Sequence, residues 1–366
     1  MKVLLVAPFG GVTGGIARWT EHILDYYKKT GRNDCDLDLL SIGRSTFVNI
    51  NSSVCFRIIS ALKDYRVILK NFRSRLNTNT YDVMHLTSSA SLSLTKDFYM
   101  LHTAKRKGIK TIIHFRFGRI PELAKKKNWE WKLLCKVIQK ATKAIVIDQQ
   151  SYNSLVAHGF NNIDLLPNPI APEVIDIVNK NNHIERDSRN ILFVGHCVKT
   201  KGVEELVTAC KQIPNITLRM IGTIQENMRM NLEAIAENGK WLELKGEIPY
   251  EQVIREMQTC DVFVLPTYTE GFPNVILESM ACGCAIVTTP VGAIPQMLED
   301  DKNGKYGVLV EPRNVQQLHD AIEHLLNDEH LKQEMRQNVQ YRVNERYNID
   351  VIWNKMLQIW EESSEK

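Results

Sequence analysis

The sequence predicts an α/β protein made of two doubly wound domains that face each other across a cleft. Short apolar runs alternate with helical patterns along the whole chain, which is the order of strand–helix–strand units around parallel sheets. This rhythm pauses once, between Pro167 and Asn190, where three prolines, several asparagines and mixed charges indicate a linker. A chain of 366 residues is long enough for two domains of ordinary size, each with its own core.

The apolar runs give the positions of the expected strands. In the first half they lie near residues 2–7, 36–41, 82–86, 110–114, 144–147 and 164–166. In the second half they lie near residues 191–194, 217–221, 241–244, 262–265, 285–288 and 307–310. We therefore divide the chain into a first domain (1–170), a linker (171–189), a second domain (190–345) and a C-terminal helix (346–366). That helix carries an apolar stripe at helical spacing, which favours core packing: Ile349, Ile352, Trp353, Met356 and Trp360.

Composition excludes several classes of protein. With 44% hydrophobic and 24% charged residues the chain is an ordinary globular one. Its eight cysteines are scattered singly, apart from Cys282 and Cys284, without paired metal-ligand spacing, so we interpret them as reduced apolar residues of a cytoplasmic protein. The apolar run from Val3 to Pro8 is too short for a signal peptide. No run approaches the roughly 20 apolar residues of a membrane span, so any membrane contact is expected to be peripheral.

Charge is distributed unequally between the two halves. Residues 1–170 contain 26 basic and 12 acidic residues, a net charge of +14, which leaves −10 for the remainder of the chain. A basic half commonly meets phosphate-bearing partners, such as nucleic acid, anionic lipid or a pyrophosphate-linked substrate.

The most informative stretch is Glu270–Gly283, EGFPNVILESMACG, which follows the strand-like run Val262–Leu265. Pro273 is suited to the first position of a helix, because that position needs no backbone N–H. The free amides of residues 271–274 would then form a cradle for an anion or a hydroxyl group. Asn274 and Glu278 are four residues apart and share one helix face. Taken alone, the two carboxylates of this stretch, Glu270 and Glu278, are more commonly solvated surface charges.

The wider stretch CDVFVLPTYTEGFPNVILESMACGCAIV resembles the retaining nucleotide-sugar glycosyltransferases of glycosyltransferase family 4, whose signature is two glutamates separated by seven residues. The resemblance implies two Rossmann-like domains of the GT-B type, with the C-terminal helix crossing back to the first. It places Glu270 near the donor sugar as a catalytic residue, and Glu278 on the ribose. It also implies donor contacts from the backbone of Gly271, Phe272, Pro273 and Asn274 as a group.

A glycine-rich loop, with Gly10, Gly11, Gly14 and Gly15, follows the first strand and precedes a helix. Its spacing is neither G-x-G-x-x-G nor a Walker A sequence, which excludes nicotinamide cofactors and ATP. A turn without a ligand would fit the same residues. By resemblance, Gly14 and Gly15 lie against the donor phosphate and the acceptor.

Five further residues are candidates for the site. His114 ends a predicted strand, where a histidine is commonly structural, but relatives carry a histidine there close to the donor sugar. Lys201 suits the donor diphosphate, with Lys199 as a substitute. His196 stands where relatives have arginine, which weakens this clamp. Ile248 belongs to the loop KGEIPYEQV, which by resemblance meets the nucleotide base.

The predicted function is metal-independent, retaining transfer of a hexose or N-acetylhexosamine from a nucleotide sugar, with UDP favoured by family frequency. No cofactor is expected, because Lys201, the glycine loop and the Glu270 helix start could stabilise the leaving diphosphate. The expected acceptor is a glycan or a polyprenyl-diphosphate-linked glycan, and no nucleic acid partner is expected. Two alternatives remain: a nucleotide-sugar epimerase and a non-catalytic nucleotide-sugar-binding subunit.

An anionic membrane surface is a further expected partner, at the inner face of the cell membrane. In the predicted helix Phe56–Leu76 an apolar stripe includes Ile58, Leu62 and Phe72, and basic residues surround it. A second basic and aromatic stretch, Lys125–Lys132, contains two tryptophans and suits an anionic interface. The alternative is a helix that covers the first sheet and exposes a solvated basic side.

Overall fold

The computed structural model describes residues 1–10, 14–43, 54–180, 185–299 and 304–365, and the description of 54–62 is limited to the backbone. The chain forms two units. The first consists of Met1–Pro167 together with Ile352–Lys366, and the second of Asn168–Val351. Each unit contains one six-stranded sheet in which every pairing is parallel.

The sheet of the first unit has the strand order β2-β1-β3-β4-β5-β6. Its strands are β1 (Lys2–Ala7), β2 (Asp36–Ser41), β3 (Val83–Ser88), β4 (Lys110–Phe115), β5 (Lys143–Val146) and β6 (Ile163–Leu165). The central strands are continuous apolar runs because helices cover both faces of a parallel sheet. Residues Val3 to Ala7 of β1, for example, are completely buried.

The sheet of the second unit has the strand order β12-β11-β10-β7-β8-β9. Its strands are β7 (Asn190–Val194), β8 (Thr217–Ile221), β9 (Leu242–Gly246), β10 (Val262–Leu265), β11 (Ala285–Thr288) and β12 (Val308–Leu309). The predicted fold class is therefore confirmed, and each predicted strand is present with ends that differ by at most two residues.

Helices connect the strands of both sheets. In chain order they are α1 (Gly15–Thr30), α2 (Val54–Thr78), α3 (Ser93–Arg106), α4 (Ile120–Lys126), α5 (Trp129–Lys140), α6 (Gln149–Ala157), α7 (Pro172–Lys180), α8 (Val203–Cys210), α9 (Glu226–Ile235), α10 (Tyr250–Thr259), α11 (Asn274–Ala281), α12 (Ile294–Leu298), α13 (Val315–Asn327), α14 (Glu329–Tyr347) and α15 (Ile349–Glu365). A single 3-10 turn, Lys199–Lys201, precedes α8.

The stretch predicted as a linker, 171–189, contains a helix in the structure. This helix, α7, begins at Pro172, where the missing N–H has no effect on the helix, and it buries Val174 completely. It packs against α10 and α11 within the second unit. Its short amphipathic pattern was hidden by the prolines and asparagines around it.

Helix α2 covers the first sheet and exposes a basic side. Ile68, Phe72 and Leu76 are buried in the core, whereas Lys63, Arg66, Lys70 and Arg73 are exposed. The side chains of Ile58 and Leu62 lie outside the described residues. The structure thus favours the covering role for the apolar stripe of this helix, since the described part of that stripe is used by the core.

The C-terminal helix α15 belongs to the first unit from Ile352 onward. Trp353 and Trp360 are completely buried, and their rings meet edge to face with centroids 5.8 Å apart. Lys143 lies 2.9 Å from Glu362, and both side chains belong to the first unit. The apolar stripe that predicted this helix is therefore a core face.

Candidate functional site

The second sheet reverses its strand order between β7 and β10. From β7 the chain continues outward through β8 and β9, and from β10 it continues in the opposite direction through β11 and β12. In open parallel sheets, the loops that leave the carboxyl ends of two such strands diverge and leave a crevice for a ligand. The loops after β7 and β10 are those that carry Lys201 and Glu270.

These two loops are locked together by backbone contacts. The amide of Tyr268 donates to the carbonyl of Thr200 over 2.8 Å. Gly202 has a left-handed φ of +69°, and a Cβ atom at this position would lie 2.1 Å from the Pro266 carbonyl oxygen. Only glycine allows the loops to approach this closely, so the packing of the two loops explains why a glycine follows Lys201.

The ammonium group of Lys201 binds the carboxylate of Glu270 directly. The two side chains are only 24% and 13% exposed, so the pair is held in a partly dry environment. Lys199 points elsewhere: its ammonium group lies 3.8 Å from Glu204, and its side chain is 73% exposed. The structure therefore distinguishes the two candidate lysines and brings only Lys201 to Glu270.

Helix α11 begins shortly after Glu270 in the sequence. Pro273 is its N-cap, with extended ψ of 106°, and the helix begins at Asn274, so the prediction that Pro273 is the first helical residue was wrong by one position. The amides of Gly271, Phe272 and Asn274 have no hydrogen-bond partner within the described residues. They lie at the positive end of the helix dipole, which suits an anion or a sugar hydroxyl.

Glu278 and Asn274 are both engaged by residues that the sequence analysis did not select. The hydroxyl of Tyr250 donates to the Glu278 carboxylate over 2.7 Å, and the Asn168 side-chain amide donates to Asn274 over 2.9 Å. Tyr250 is the first residue of α10 and lies two positions after Ile248, which is half-buried in the loop after β9, so this bond joins the expected base loop to α11. Tyr250 stood inside the quoted loop, but nothing in the sequence indicated its partner.

His196 lies at the end of β7 with an exposed side chain. Its Nδ1 atom is hydrogen bonded to the hydroxyl of Thr223, which follows β8. This contact leaves the other ring nitrogen for a ligand but does not bring His196 to Lys201 or Glu270 in the described contacts. Its role on the diphosphate stays a prediction.

The first unit has its own strand-order reversal, between β1 and β3. A pocket of about 290 Å³ lies there, lined in part by Pro8, Ile42, Tyr65, Ser89, Lys96 and Asp97. Lys96 and Asp97 form a buried ion pair of 2.5 Å, and Ser88 donates to the second Asp97 oxygen over 2.6 Å. Of the glycine loop, Gly14 is the N-cap of α1, Gly15 is its first residue, and Gly11 lies outside the described residues.

His114 is completely buried at the end of β4. The indole N–H of Trp360 donates to Nδ1 of His85 over 2.9 Å, which leaves the His85 proton on Nε2. That Nε2 atom lies 3.1 Å from Nδ1 of His114 and donates to it. Nε2 of His114 lies 3.4 Å from the Arg116 guanidinium, which has only donors to offer, so this contact is not a hydrogen bond when the His114 proton is on Nε2. The His114 side chain is completely buried between these neighbours, and its substrate contact stays a prediction.

Burial gives the two histidines a common electrostatic character. Loss of solvation, reinforced by the Arg116 charge, lowers the pKa of His85 to about 3, and the same causes hold the pKa of His114 well below its usual value. Burial also lowers the pKa of Arg116 to about 9. Both histidines are neutral in the native state throughout the physiological range.

This neutrality predicts acid sensitivity of the first unit. Below pH 6.5 these two histidines take up protons in the unfolded chain but stay neutral in the native state. The free energy of unfolding should therefore fall as the pH falls toward 3. The expected loss between pH 7 and pH 5 is about 2 kcal/mol for each histidine. Urea unfolding followed by tryptophan fluorescence measures it, since Trp19, Trp131, Trp353 and Trp360 are buried in this unit.

The variant His85→Gln should lose about half of this acid sensitivity. The matched control is His330→Gln, which replaces an exposed histidine of the second unit and should keep the wild-type pH dependence. An equal pH dependence for His85→Gln and the wild type would contradict the prediction.

Asp-x-Asp triplets, a common metal-binding pattern in transferases, occur here only in the segment Asp34–Asp38. In the structure these carboxylates pair with cations of the first unit: Asp34 with Arg32, Asp36 with Lys2, and Asp38 with Arg75. Among the described residues, no group of three or more His, Cys, Asp or Glu side chains is arranged to hold a metal ion.

Comparison with known proteins identifies similar chains. The family model described as "Glycosyl transferases group 1" matches residues 175–342. The chain is 29% identical over 191 residues to a capsular polysaccharide biosynthesis glycosyltransferase of Staphylococcus aureus, which is 48% of either chain. It is 30% identical over 183 residues, 49% of this chain and 46% of the relative, to the N,N'-diacetylbacillosaminyl-diphospho-undecaprenol alpha-1,3-N-acetylgalactosaminyltransferase of Campylobacter jejuni. The chain spans about half the length of these curated relatives.

Among solved structures, the chain is similar to Anabaena HepE in complex with UDP. The similarity covers 99% of this chain and 100% of the other, with a TM-score of 0.69 and 16% sequence identity. At this identity the likeness establishes the fold alone. The fold predicted from the sequence, with two Rossmann-like α/β domains of the GT-B type, agrees with it.

Proposed function

We propose, from the premise that residues 175–342 belong to the glycosyl transferases group 1 family, that this protein is a retaining glycosyltransferase. It moves a hexose or N-acetylhexosamine from a UDP-sugar to a glycan or a polyprenyl-diphosphate-linked glycan during assembly of a cell-surface polysaccharide or glycoconjugate. The names of two relatives, one for capsular polysaccharide and one for an undecaprenol-diphosphate acceptor, support this class of product. UDP in the HepE complex supports the choice of nucleotide.

The observation that carries the proposal is the contact between Lys201 and Glu270 where the second sheet reverses its strand order. The contact brings together the ammonium group of Lys201, the carboxylate of Glu270 and the segment that carries the open backbone amides of Gly271 and Phe272. The cation and amides suit a diphosphate, and the carboxylate accepts hydrogen bonds from sugar hydroxyls.

Donor binding would change the partner of Lys201. Its ammonium group turns from Glu270 toward the diphosphate, or bridges the two, and stabilises the negative charge that develops as the bond from the anomeric carbon to the phosphate oxygen breaks. The acceptor hydroxyl forms the new bond on the face that the diphosphate leaves, and its proton passes to the departing phosphate oxygen. Glu270 holds the sugar and stabilises the positive charge on its ring.

The acceptor is assigned to the pocket of the first unit between β1 and β3. Its ion pair, Lys96 with Asp97, is internally neutral, and Asp64 adds an acidic group to the lining. A pocket of this charge suits the hydroxyl groups of a sugar better than a phosphate group. The terminal sugar of the acceptor would therefore bind here, with any diphosphate outside the pocket.

Incubation of the protein with UDP-glucose, UDP-N-acetylglucosamine and GDP-mannose tests the proposal. We expect free UDP from one UDP-sugar, faster when a glycan or a lipid-diphosphate-linked glycan is present, and undiminished when EDTA is added. Retention is checked by the anomeric configuration of the product. A donor that binds without release of nucleotide under any acceptor condition would indicate the non-catalytic subunit, and an epimerised nucleotide sugar would indicate the epimerase.

A further inference from the structure

Two exposed apolar side chains of the first unit lie on neighbouring segments of the structure. Leu92, which precedes α3, is 67% exposed, and Trp129, the first residue of α5, is 54% exposed. The neighbouring residues are hydrogen bonded: the Ser91 amide donates to the Glu130 carboxylate over 2.8 Å. Arg119 binds the same carboxylate at 2.6 Å, so the segments that carry Leu92 and Trp129 are fixed relative to each other.

Basic side chains precede and follow Trp129 in the sequence. Lys125 and Lys126 end helix α4, Lys127 is its C-cap, Lys132 follows Trp129, and all four are exposed. The local acidic residues do not cancel this charge, since Glu130 is buried against Arg119 and only Glu122 approaches a lysine, at 4.0 Å from Lys126. Trp131 is buried, so Trp129 alone supplies the exposed indole.

We propose that Leu92, Trp129 and Lys125–Lys127, here called the docking patch, bind the surface of an anionic lipid bilayer. An indole is stable at the boundary between headgroups and acyl chains, and lysines beside it attract anionic lipid. The patch combines both features on rigid helix ends, whereas the part of α2 whose side chains are described, residues 63–78, offers charge around one exposed apolar residue, Val67. No described helix is long and apolar enough to cross a membrane.

Cosedimentation with vesicles tests the charge of the docking patch. Wild-type protein should bind vesicles of equal parts phosphatidylglycerol and phosphatidylcholine at low salt, should leave them at high salt, and should not bind phosphatidylcholine alone. The triple variant Lys125→Gln, Lys126→Gln, Lys127→Gln should bind roughly a hundredfold more weakly, at about fivefold per lysine. The matched triple variant Lys63→Gln, Arg66→Gln, Lys70→Gln removes the same charge from α2 and should lose less than about tenfold.

A second pair of variants tests the apolar contact. Leu92→Ser with Trp129→Ser should weaken binding at least about tenfold, because apolar surface no longer enters the bilayer. The control, Met230→Ser with Tyr341→Ser, removes two comparably exposed side chains of the second unit, 62% and 65% exposed, and should bind like the wild type. The tryptophan emission of the wild type should shift to shorter wavelength on vesicles, and Trp129→Phe should lose this shift.

Three results would overturn the proposal: equal binding to both kinds of vesicle, equal losses in the patch and control variants, or an emission shift that survives Trp129→Phe. Circular dichroism checks that each variant remains folded. The assay contains no nucleotide sugar, so its failure would leave the proposed transfer activity standing, and failure of transfer would leave the docking patch standing.

Discussion

Replacement of Glu270 by glutamine is expected to lower the rate of sugar transfer by on the order of a hundredfold or more while the protein remains folded. The amide keeps the shape of the side chain but loses the charge that stabilises the reacting sugar. It also releases Lys201, whose ammonium group binds this carboxylate in the structure. The effect should therefore appear mainly in kcat, measured as UDP released with acceptor at saturating donor.

The matched control is Glu204→Gln, which removes the carboxylate beside Lys199 in the same part of the sheet edge. Glu204 and Lys199 are not part of the contact between Lys201 and Glu270, so transfer should continue at close to the wild-type rate. Lys201→Met should instead weaken donor binding, and the double variant with Glu270→Gln should lose less than the sum of the two single losses because the residues are in contact. A wild-type rate in Glu270→Gln would refute the catalytic assignment.

Replacement of Gly202 by alanine is expected to separate the two loops of the candidate site. The new methyl group would lie 2.1 Å from the Pro266 carbonyl oxygen, which cannot move without displacing the Thr200–Tyr268 hydrogen bond. We expect a loss of at least about 3 kcal/mol in the free energy of unfolding, from overpacking together with left-handed backbone strain. Urea denaturation followed by circular dichroism measures this loss.

Gly246→Ala provides a control with the same backbone conformation. Gly246 has the same φ of +69°, but no atom lies within 4 Å of the position that its Cβ would occupy. This variant should lose only the backbone term, about 1 to 2 kcal/mol. If both variants lost the same stability, the close approach of Gly202 to Pro266 would add nothing to the effect of the substitution, and the proposed tight packing of the two loops would be wrong.

The sequence by itself determined the two sheets and the position of the candidate site along the chain. Apolar runs of four to six residues, such as Val262–Leu265, form strands because a parallel sheet buries both of its faces, and this pattern is local. A glycine at the start of a helix, as at Gly202 before α8, is an equally local signal. The resemblance of the segment around Glu270 to a known family then indicated the edge of the second sheet where Lys201 and Glu270 meet.

Only the tertiary structure decided which side chains meet. The sequence offered Lys201 for the diphosphate and Lys199 as its substitute, and Lys201 is the one that contacts Glu270, 69 positions away, because the loops after β7 and β10 leave adjacent strands. Likewise, tertiary packing buried His114 and left Trp129 exposed. Spacing along the chain fixes the face of a helix or strand on which a residue lies. The partner on that face depends on which elements pack there, and that depends on residues far away in the sequence.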